Sequence, residues 1–180
     1  QEMDLWRFGG LGAPASRSTG QIIALQTPAE LDDYTYRVAG CVGGFWTKMC
    51  RAHLGEMECW RKGEMEEWGV RFGKGLQLVN VLRDMPKDLR IGRCYMPVKE
   101  PQRLLQPERF SEIQAEYNRW LDMACAHLDA GWQYTMRIPA GRLRLACVWP
   151  IWIGLETVAR LRHGNPLDPN QHIKVTRSEI

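Results

Sequence analysis

Two aspartates one helical turn apart, on a strongly apolar stretch, constrain this chain more than any other feature. The segment Leu76–Pro97 reads LQLVNVLRDMPKDLRIGRCYMP. As a helix it places Gln77, Asn80, Asp84 and Asp88 on one face, at steps of three and four residues. Leu76, Val79 and Leu82 supply an apolar flank for packing. Asp84 and Asp88 then have Cβ atoms about 5–6 Å apart, where like charges weaken a helix by a few tenths of a kcal/mol. A cation between them reverses that sign. Carboxylates, an amide carbonyl and water suit Mg²⁺, which keeps several waters and shares itself with substrate phosphates. Arg83 and Arg93 flank the acids and can grip phosphate oxygens bidentately. A bare D-x-x-x-D is more often a solvated helix face. The polar stripe on an apolar helix points instead to a lined cavity holding Mg²⁺ and diphosphate, with Asp84, Asp88 and Asn80 as metal ligands.

The remaining pattern is helical. Thr27 can cap a helix that has Pro28 in its first turn and Glu30 completing a capping box. It is expected to run to about Leu54. Gly40, Gly43 and Gly44 lie inside it, each costing about 1 kcal/mol relative to Ala. Either close helix–helix approach or a substrate lying against bare backbone accounts for them. A central helix is expected from Glu64 to about Arg90, bent by Pro86 so that Asp88 is re-aimed relative to Asp84. Phe110, Ile113, Tyr117, Trp120, Leu121, Ala124 and Leu128 recur at helical spacing in a helix from Glu108 to about Tyr134, in which His127 reads as structural. A last helix runs to about His163. Its stretch Leu143–Leu155 is apolar on nearly all sides, which predicts a central, buried position, with a kink at Pro150 and Gly154 and with Trp149 and Trp152 either facing the cavity or, as favoured, filling core. Gln1–Gln26 reads as loop and Asn165–Ile180 as a loose tail; no strand pattern stands out. The fold class is all-α, a single antiparallel bundle of long helices around a cavity.

Composition narrows the function classes. A net charge of +3, with acids and bases interleaved, gives no reason to expect nucleic acid. The six cysteines show no C-x-x-C pair and no histidine at zinc-ligand spacing, and read as reduced, mostly buried thiols of a cytoplasmic protein. The longest apolar run, Leu145–Leu155, is interrupted by Pro150 and is too short to span a bilayer.

The string Q-L-x-N-x-x-R-D-x-x-x-D followed by G-R-x-Y-x-P resembles the second aspartate-rich motif of squalene and phytoene synthases. Tyr34–Gly43, YTYRVAGCVG, is similar to the Y-x-x-x-V-A-G-x-V-G signature of the same family. The resemblance runs from about Met3 to Arg162. It implies the isoprenoid synthase fold and head-to-head condensation of two farnesyl diphosphates, through presqualene diphosphate, to squalene. Phytoene or dehydrosqualene synthesis is the runner-up, the first of these with geranylgeranyl diphosphate as substrate. A non-catalytic helical homologue or assembly subunit is the reading of a different class. The segment WPIWIGLETVARLR leans the expectation to a bacterial squalene synthase. The resemblance further implies Mg²⁺, NADPH if the product is squalene, and possible peripheral contact with the inner face of a membrane for product release. By residue, it implies that Tyr34 assists ionisation and that Arg83 contacts diphosphate or braces the carboxylates. Val38, Val42, Gly43 and Leu76, with Gln77 and Asn80, would line the prenyl cavity, and Arg93 and Tyr95 would fold over its mouth. Members of the family carry a further D-x-x-x-D motif upstream of the tyrosine signature. None precedes Tyr34 here, so the chain is expected to be N-terminally incomplete.

Overall fold

The computed structural model describes residues 22–57, 62–171, 173, 175 and 176. The expected loop over Gln1–Gln26 therefore lies mostly outside the described residues. The elements run in the order β1 (Ile23–Ala24), α1 (Pro28–Thr35), a π-helical turn (Tyr36–Gly40), α2 (Cys41–His53), α3 (Lys62–Arg90), β2 (Arg93–Cys94), α4 (Phe110–Met136) and α5 (Gly141–His163). Short 3₁₀ turns fill the connections at Gly55–Met57, Pro101–Leu105 and Pro107–Arg109.

Helix α1 starts as its residues dictate. The Thr27 hydroxyl accepts a hydrogen bond from the Glu30 backbone N–H at 3.2 Å, and Glu30 Oε2 accepts one from the Gln26 N–H at 2.7 Å. The expected single helix from Thr27 to Leu54 is instead two α-helices joined through the π turn. Such a turn shifts the angular register of the helix and is frequent at functional sites. Here it separates Tyr34 from Val42 (its own residues include Val38).

Helix α3 is the organising element and packs against α2, α4 and α5. Contacts run in opposite senses along each pair: Gly43 meets Gly69 while Ala39 meets Gly73, Leu82 meets Tyr117 while Phe72 meets Gly131, and Leu128 meets Gly154 while Asp122 meets Arg162. Consecutive helices of the bundle from α2 to α5 are therefore antiparallel. Its core is built from Leu78, Val79, Leu82 and Met85 of α3 with Tyr117, Leu121, Ala124 and Leu128 of α4 and Val158 and Leu161 of α5.

Pro86 does not break α3, which is unbroken from Lys62 to Arg90. Proline has no N–H, so the carbonyl four residues earlier, that of Leu82, loses its helical donor. The fully buried Tyr117 hydroxyl donates to that carbonyl at 3.0 Å. One helix thus supplies the hydrogen bond that the other lacks.

Close helix approach accounts for Gly43 of α2 and Gly73 of α3. A Cβ on Gly43 would stand 1.9 Å from the Gly69 carbonyl oxygen, and one on Gly73 2.2 Å from that of Ala39. Both obstacles are backbone, so no side-chain rotation relieves them.

Three expectations need correction. Helix α5 is not central: Leu145, Trp149, Trp152 and Leu155 are all exposed, and its buried line is Ile151, Gly154, Thr157, Val158 and Leu161. Trp149 and Trp152 pack on each other, with ring centroids 5.9 Å apart, rather than in the core. A run that is apolar all round does not say which side finds a partner. Second, the start of the expected loose tail is docked: Leu167 is buried, and Asn165 Nδ2 donates to the Pro107 carbonyl at 2.8 Å. Third, a small parallel sheet exists. β1 pairs with β2, with Ile23 opposite Arg93 and Ala24 opposite Cys94. Two residues per strand are too few for a periodic signal.

Of the described cysteines all are free thiols; Cys50 and Cys94 are buried, Cys125 and Cys147 half-buried and Cys41 exposed. No helix among the described residues is long and apolar enough to cross a membrane.

Candidate functional site

Two adjoining concavities lie along α3, the first where the π turn and α2 cross it and the second toward its C-terminal end. The first is an apolar cavity of about 380 Å³. Val38, Ala39, Val42, Gly43 and Trp46 form one wall, and Gly69, Phe72, Gly73 and Leu76 of α3 form the other. Tyr134 and Cys147 belong to its lining, with Gln77 and Asn80 at its polar margin. Its length follows from helix geometry: Gly69 to Asn80 spans about 16 Å at ~1.5 Å per residue. The second is a polar pocket of about 170 Å³, lined by Tyr34, Gln77, Asn80, Val81, Asp84, Lys87, Asp88 and Tyr95. Gln77 and Asn80 belong to both, so the apolar cavity and the acidic pocket meet at those two side chains.

Each wall has a local cause. The glycine contacts bring α2 and α3 together, and Gly43, Gly69 and Gly73 line the cavity beside the side chains at the crossing. The buried Thr47 hydroxyl donates to the Gly43 carbonyl at 2.8 Å, and a 3.2 Å hydrogen bond joins it to the Tyr134 hydroxyl. Tyr134 is thereby fixed where α4 meets the cavity. Burial pushes the Tyr134 phenol up to about 12 and the Cys147 thiol up to about 11, so both stay neutral and the cavity stays uncharged at neutral pH.

In the polar pocket, Tyr34 and Tyr95 are both buried and stack with ring centroids 4.6 Å apart. The β1–β2 ladder holds the segment bearing Tyr95: the Ile23 N–H donates to the Gly92 carbonyl and the Leu25 N–H to the Cys94 carbonyl, each at 3.0 Å. Gly92 has φ 79°, a left-handed conformation that glycine adopts at little cost, and it turns the chain from α3 into β2. The G-R-x-Y-x-P string is thus a turn, a strand and a buried tyrosine that closes one side of the pocket.

The structure gathers most of the expected site residues. Tyr34, Gln77, Asn80, Asp84, Asp88 and Tyr95 share the polar pocket, and Val38, Val42, Gly43 and Leu76 share the apolar cavity. Of the two arginines, Arg83 takes one of its two expected roles and Arg93 departs from expectation. Arg83 turns onto its neighbour: Nε and a terminal nitrogen donate to the two Asp84 carboxylate oxygens at 2.9 and 2.7 Å. That hydrogen bond, ahead of any other influence, holds the Arg83 guanidinium above its usual value. Arg83 therefore braces a carboxylate and lines neither concavity. Arg93 sits in β2 and also lines neither. Gly43 lines the cavity, but its hydrogen side chain is required first by the contact with Gly69.

Sequence reasoning missed Trp46, Phe72, Tyr134, Cys147 and Lys87. Trp46 and Lys87 had a usable signal, since they follow Val42 by four residues and Asp84 by three. Tyr134 and Cys147 arrive from distant helices and had none.

Asp84 and Asp88 bring two carboxylates to one pocket with the Asn80 amide beside them, while among the described residues no group of three or more His, Cys, Asp or Glu is arranged to hold a metal. That donor set fits a Mg²⁺ ion completed by water and a ligand's phosphate oxygens. It does not fit a metal cage made by these residues alone.

Comparison with known proteins agrees with this geometry. The profile of the squalene/phytoene synthase family matches residues 13–179. The chain is similar to a 15-cis-phytoene synthase of Synechocystis sp., at 29% identity over 72% of this chain and 40% of that protein. It is similar to a phytoene synthase of Thermus thermophilus, at 38% identity over 42% of this chain and 23% of that protein. It is also similar to a presqualene diphosphate synthase of Zymomonas mobilis, at 31% identity over 62% of this chain and 34% of that protein. The chain thus spans less than half the length of these relatives. Its matched residues, its helical bundle and the two concavities on α2 and α3 lead to one conclusion: the chain belongs to the squalene/phytoene synthase family.

Proposed function

We propose that this chain carries the prenyl-diphosphate site of a head-to-head prenyl synthase, and that its reaction is of the phytoene type, joining two C20 diphosphates. The observation behind this is the junction at Gln77 and Asn80, where an uncharged cavity about 16 Å long opens into a pocket bearing two carboxylates. A long hydrocarbon carrying a diphosphate has that polarity. At about 380 Å³ the cavity is near the lower end of the ~300–1,000 Å³ range of ligand sites and suits one prenyl tail.

In this reaction the C1–O bond of one allylic diphosphate breaks and the diphosphate leaves with the electron pair. The C2–C3 double bond of the second molecule attacks C1, and loss of a proton closes a cyclopropane; departure of the second diphosphate, ring opening and loss of a second proton then give phytoene. Bound Mg²⁺ would neutralise the departing diphosphate. Asp84 and Asp88, with Asn80 beside them, would hold that ion and so orient the head group, while Arg83 keeps the Asp84 carboxylate fixed. The Tyr34 hydroxyl, its ring set by Tyr95, would assist ionisation. Val38, Val42, Phe72 and Leu76 would keep water from the allylic cation.

The preference for phytoene over the squalene expected from sequence comes from the relatives, among which phytoene synthases of Synechocystis sp. and Thermus thermophilus stand. The presqualene diphosphate synthase of Zymomonas mobilis supports C15 condensation as the second reading. Product analysis decides between them. The natural full-length protein is incubated with Mg²⁺ and C20 or C15 diphosphate, with and without NADPH. Phytoene from the C20 substrate without NADPH is the expected result. Presqualene diphosphate or squalene from the C15 substrate favours the second reading, and turnover of neither overturns the proposal.

A further inference from the structure

We infer that Lys87 is a diphosphate-binding residue of this site, taking the head-group role that the sequence suggests for Arg83. The inference rests on the prenyl-diphosphate reading and adds a residue to it. Three observations carry it. Arg83 is committed, with two of its nitrogens on the Asp84 carboxylate, and it does not line the polar pocket. Lys87 does line that pocket, together with Asp84, Asp88 and Asn80, and among the described residues it is the cationic side chain that does so. It also follows Pro86, where α3 continues on the hydrogen bond from Tyr117 to Leu82, so the backbone that carries it is held against α4.

The charge balance makes the role specific. Carboxylates that attract a metal ion also repel a diphosphate, and Arg83 offsets the charge of Asp84 from outside the pocket. A lysine on the same wall, three residues past Asp84 and next to Asp88, offers phosphate oxygens a donor with a full charge and no partner requirement of fixed geometry. The head group would then be held along that wall both by a metal on the carboxylates and by the Lys87 ammonium. A solvated lysine serving only to dilute the acidic charge is the competing role, and it has the opposite signature.

The test uses inorganic pyrophosphate as the probe, measured by calorimetry on the natural full-length protein with Mg²⁺. Lys87 is exposed, so substitution leaves the fold intact. Lys87→Gln is expected to weaken pyrophosphate binding about tenfold, the scale of one lost charge-assisted hydrogen bond. Lys87→Arg is expected to restore most of it, and the salt dependence of binding should be shallower in Lys87→Gln than in the natural protein. Equal or tighter pyrophosphate binding by Lys87→Gln, with tighter Mg²⁺ binding, overturns the inference while leaving the prenyl-diphosphate reading standing. If the unaltered protein binds neither pyrophosphate nor a prenyl diphosphate in the presence of Mg²⁺, the underlying reading fails and Lys87 falls with it.

Discussion

The hydrogen bond from Tyr117 to the Leu82 carbonyl should behave as a substitute for the one Pro86 cannot make. Tyr117 and Leu82 are fully buried, and the oxygen-to-oxygen distance is 3.0 Å. Tyr117→Phe removes the donor and leaves a carbonyl with neither helical nor side-chain partner, away from water. An orphaned buried acceptor costs about 1–3 kcal/mol, so a loss of about 2 kcal/mol is expected. In a Pro86→Ala background the backbone N–H regained at that position reaches the Leu82 carbonyl, and the same Tyr117→Phe change should then cost less than ~1 kcal/mol. The coupling between the two sites is therefore expected at about 1 kcal/mol or more, well above the ~0.3–0.5 kcal/mol within which independent sites add. Equilibrium denaturation of the protein, the two single variants and the double variant measures it. Additive costs would refute the account, because they would mean that the tyrosine stabilises the bundle without regard to the missing N–H.

The other expectations follow from single contacts. Gly43→Ala, which places a Cβ 1.9 Å from the Gly69 carbonyl oxygen, should lower the denaturation midpoint by the equivalent of about 2 kcal/mol or more; Gly63→Ala, with nothing within 4 Å, should leave it unchanged or raise it. The helix-packing role of Gly43 fails if both variants are equally stable. Asp88→Asn should cut Mg²⁺-dependent turnover by about a hundredfold or more while circular dichroism stays helical, and turnover close to that of the unaltered protein would remove Asp88 from the site. Burial, reinforced by Lys74 and Arg71, holds the His127 imidazole down to about 4 from 6.5. The unfolded chain therefore binds this proton first as pH falls. Stability from this group is complete above pH 6.5 and is lost progressively toward pH 4, on the order of 2–3 kcal/mol in all. A His127→Gln variant should show a flatter acid limb in denaturation midpoints between those pH values, and an unaltered limb would contradict the assignment.

Much of this was legible because the informative residues sit on one helix. Spacing alone put Gln77, Asn80, Asp84 and Asp88 on one face, and all four line the polar pocket. The Thr27 cap and the ends of α3 and α5 near Arg90 and His163 fell where local chemistry places them. What escaped depended on partners distant in sequence. Nothing in Arg83 itself says that its guanidinium turns onto Asp84 rather than toward a ligand. That α3 runs unbroken through Pro86 was hidden because the compensating donor, Tyr117, lies on another helix. The glycines of α2 allowed two explanations until Gly69 and Gly73 were seen opposite them. Trp149 and Trp152 looked like core because hydrophobicity does not reveal which face of a helix is covered.

The most direct test of the joined cavity and pocket is photolabelling with a prenyl diphosphate that carries a diazirine at the far end of its tail. With Mg²⁺ present, label located residue by residue is expected at Val42, Trp46 or Phe72, and an excess of inorganic pyrophosphate should displace it. Label on the outer side of the same helices, at Tyr36, Phe45 or Val70, or label that pyrophosphate does not displace, would contradict a site in which the tail lies along α2 and α3 and the head reaches Asp84 and Asp88.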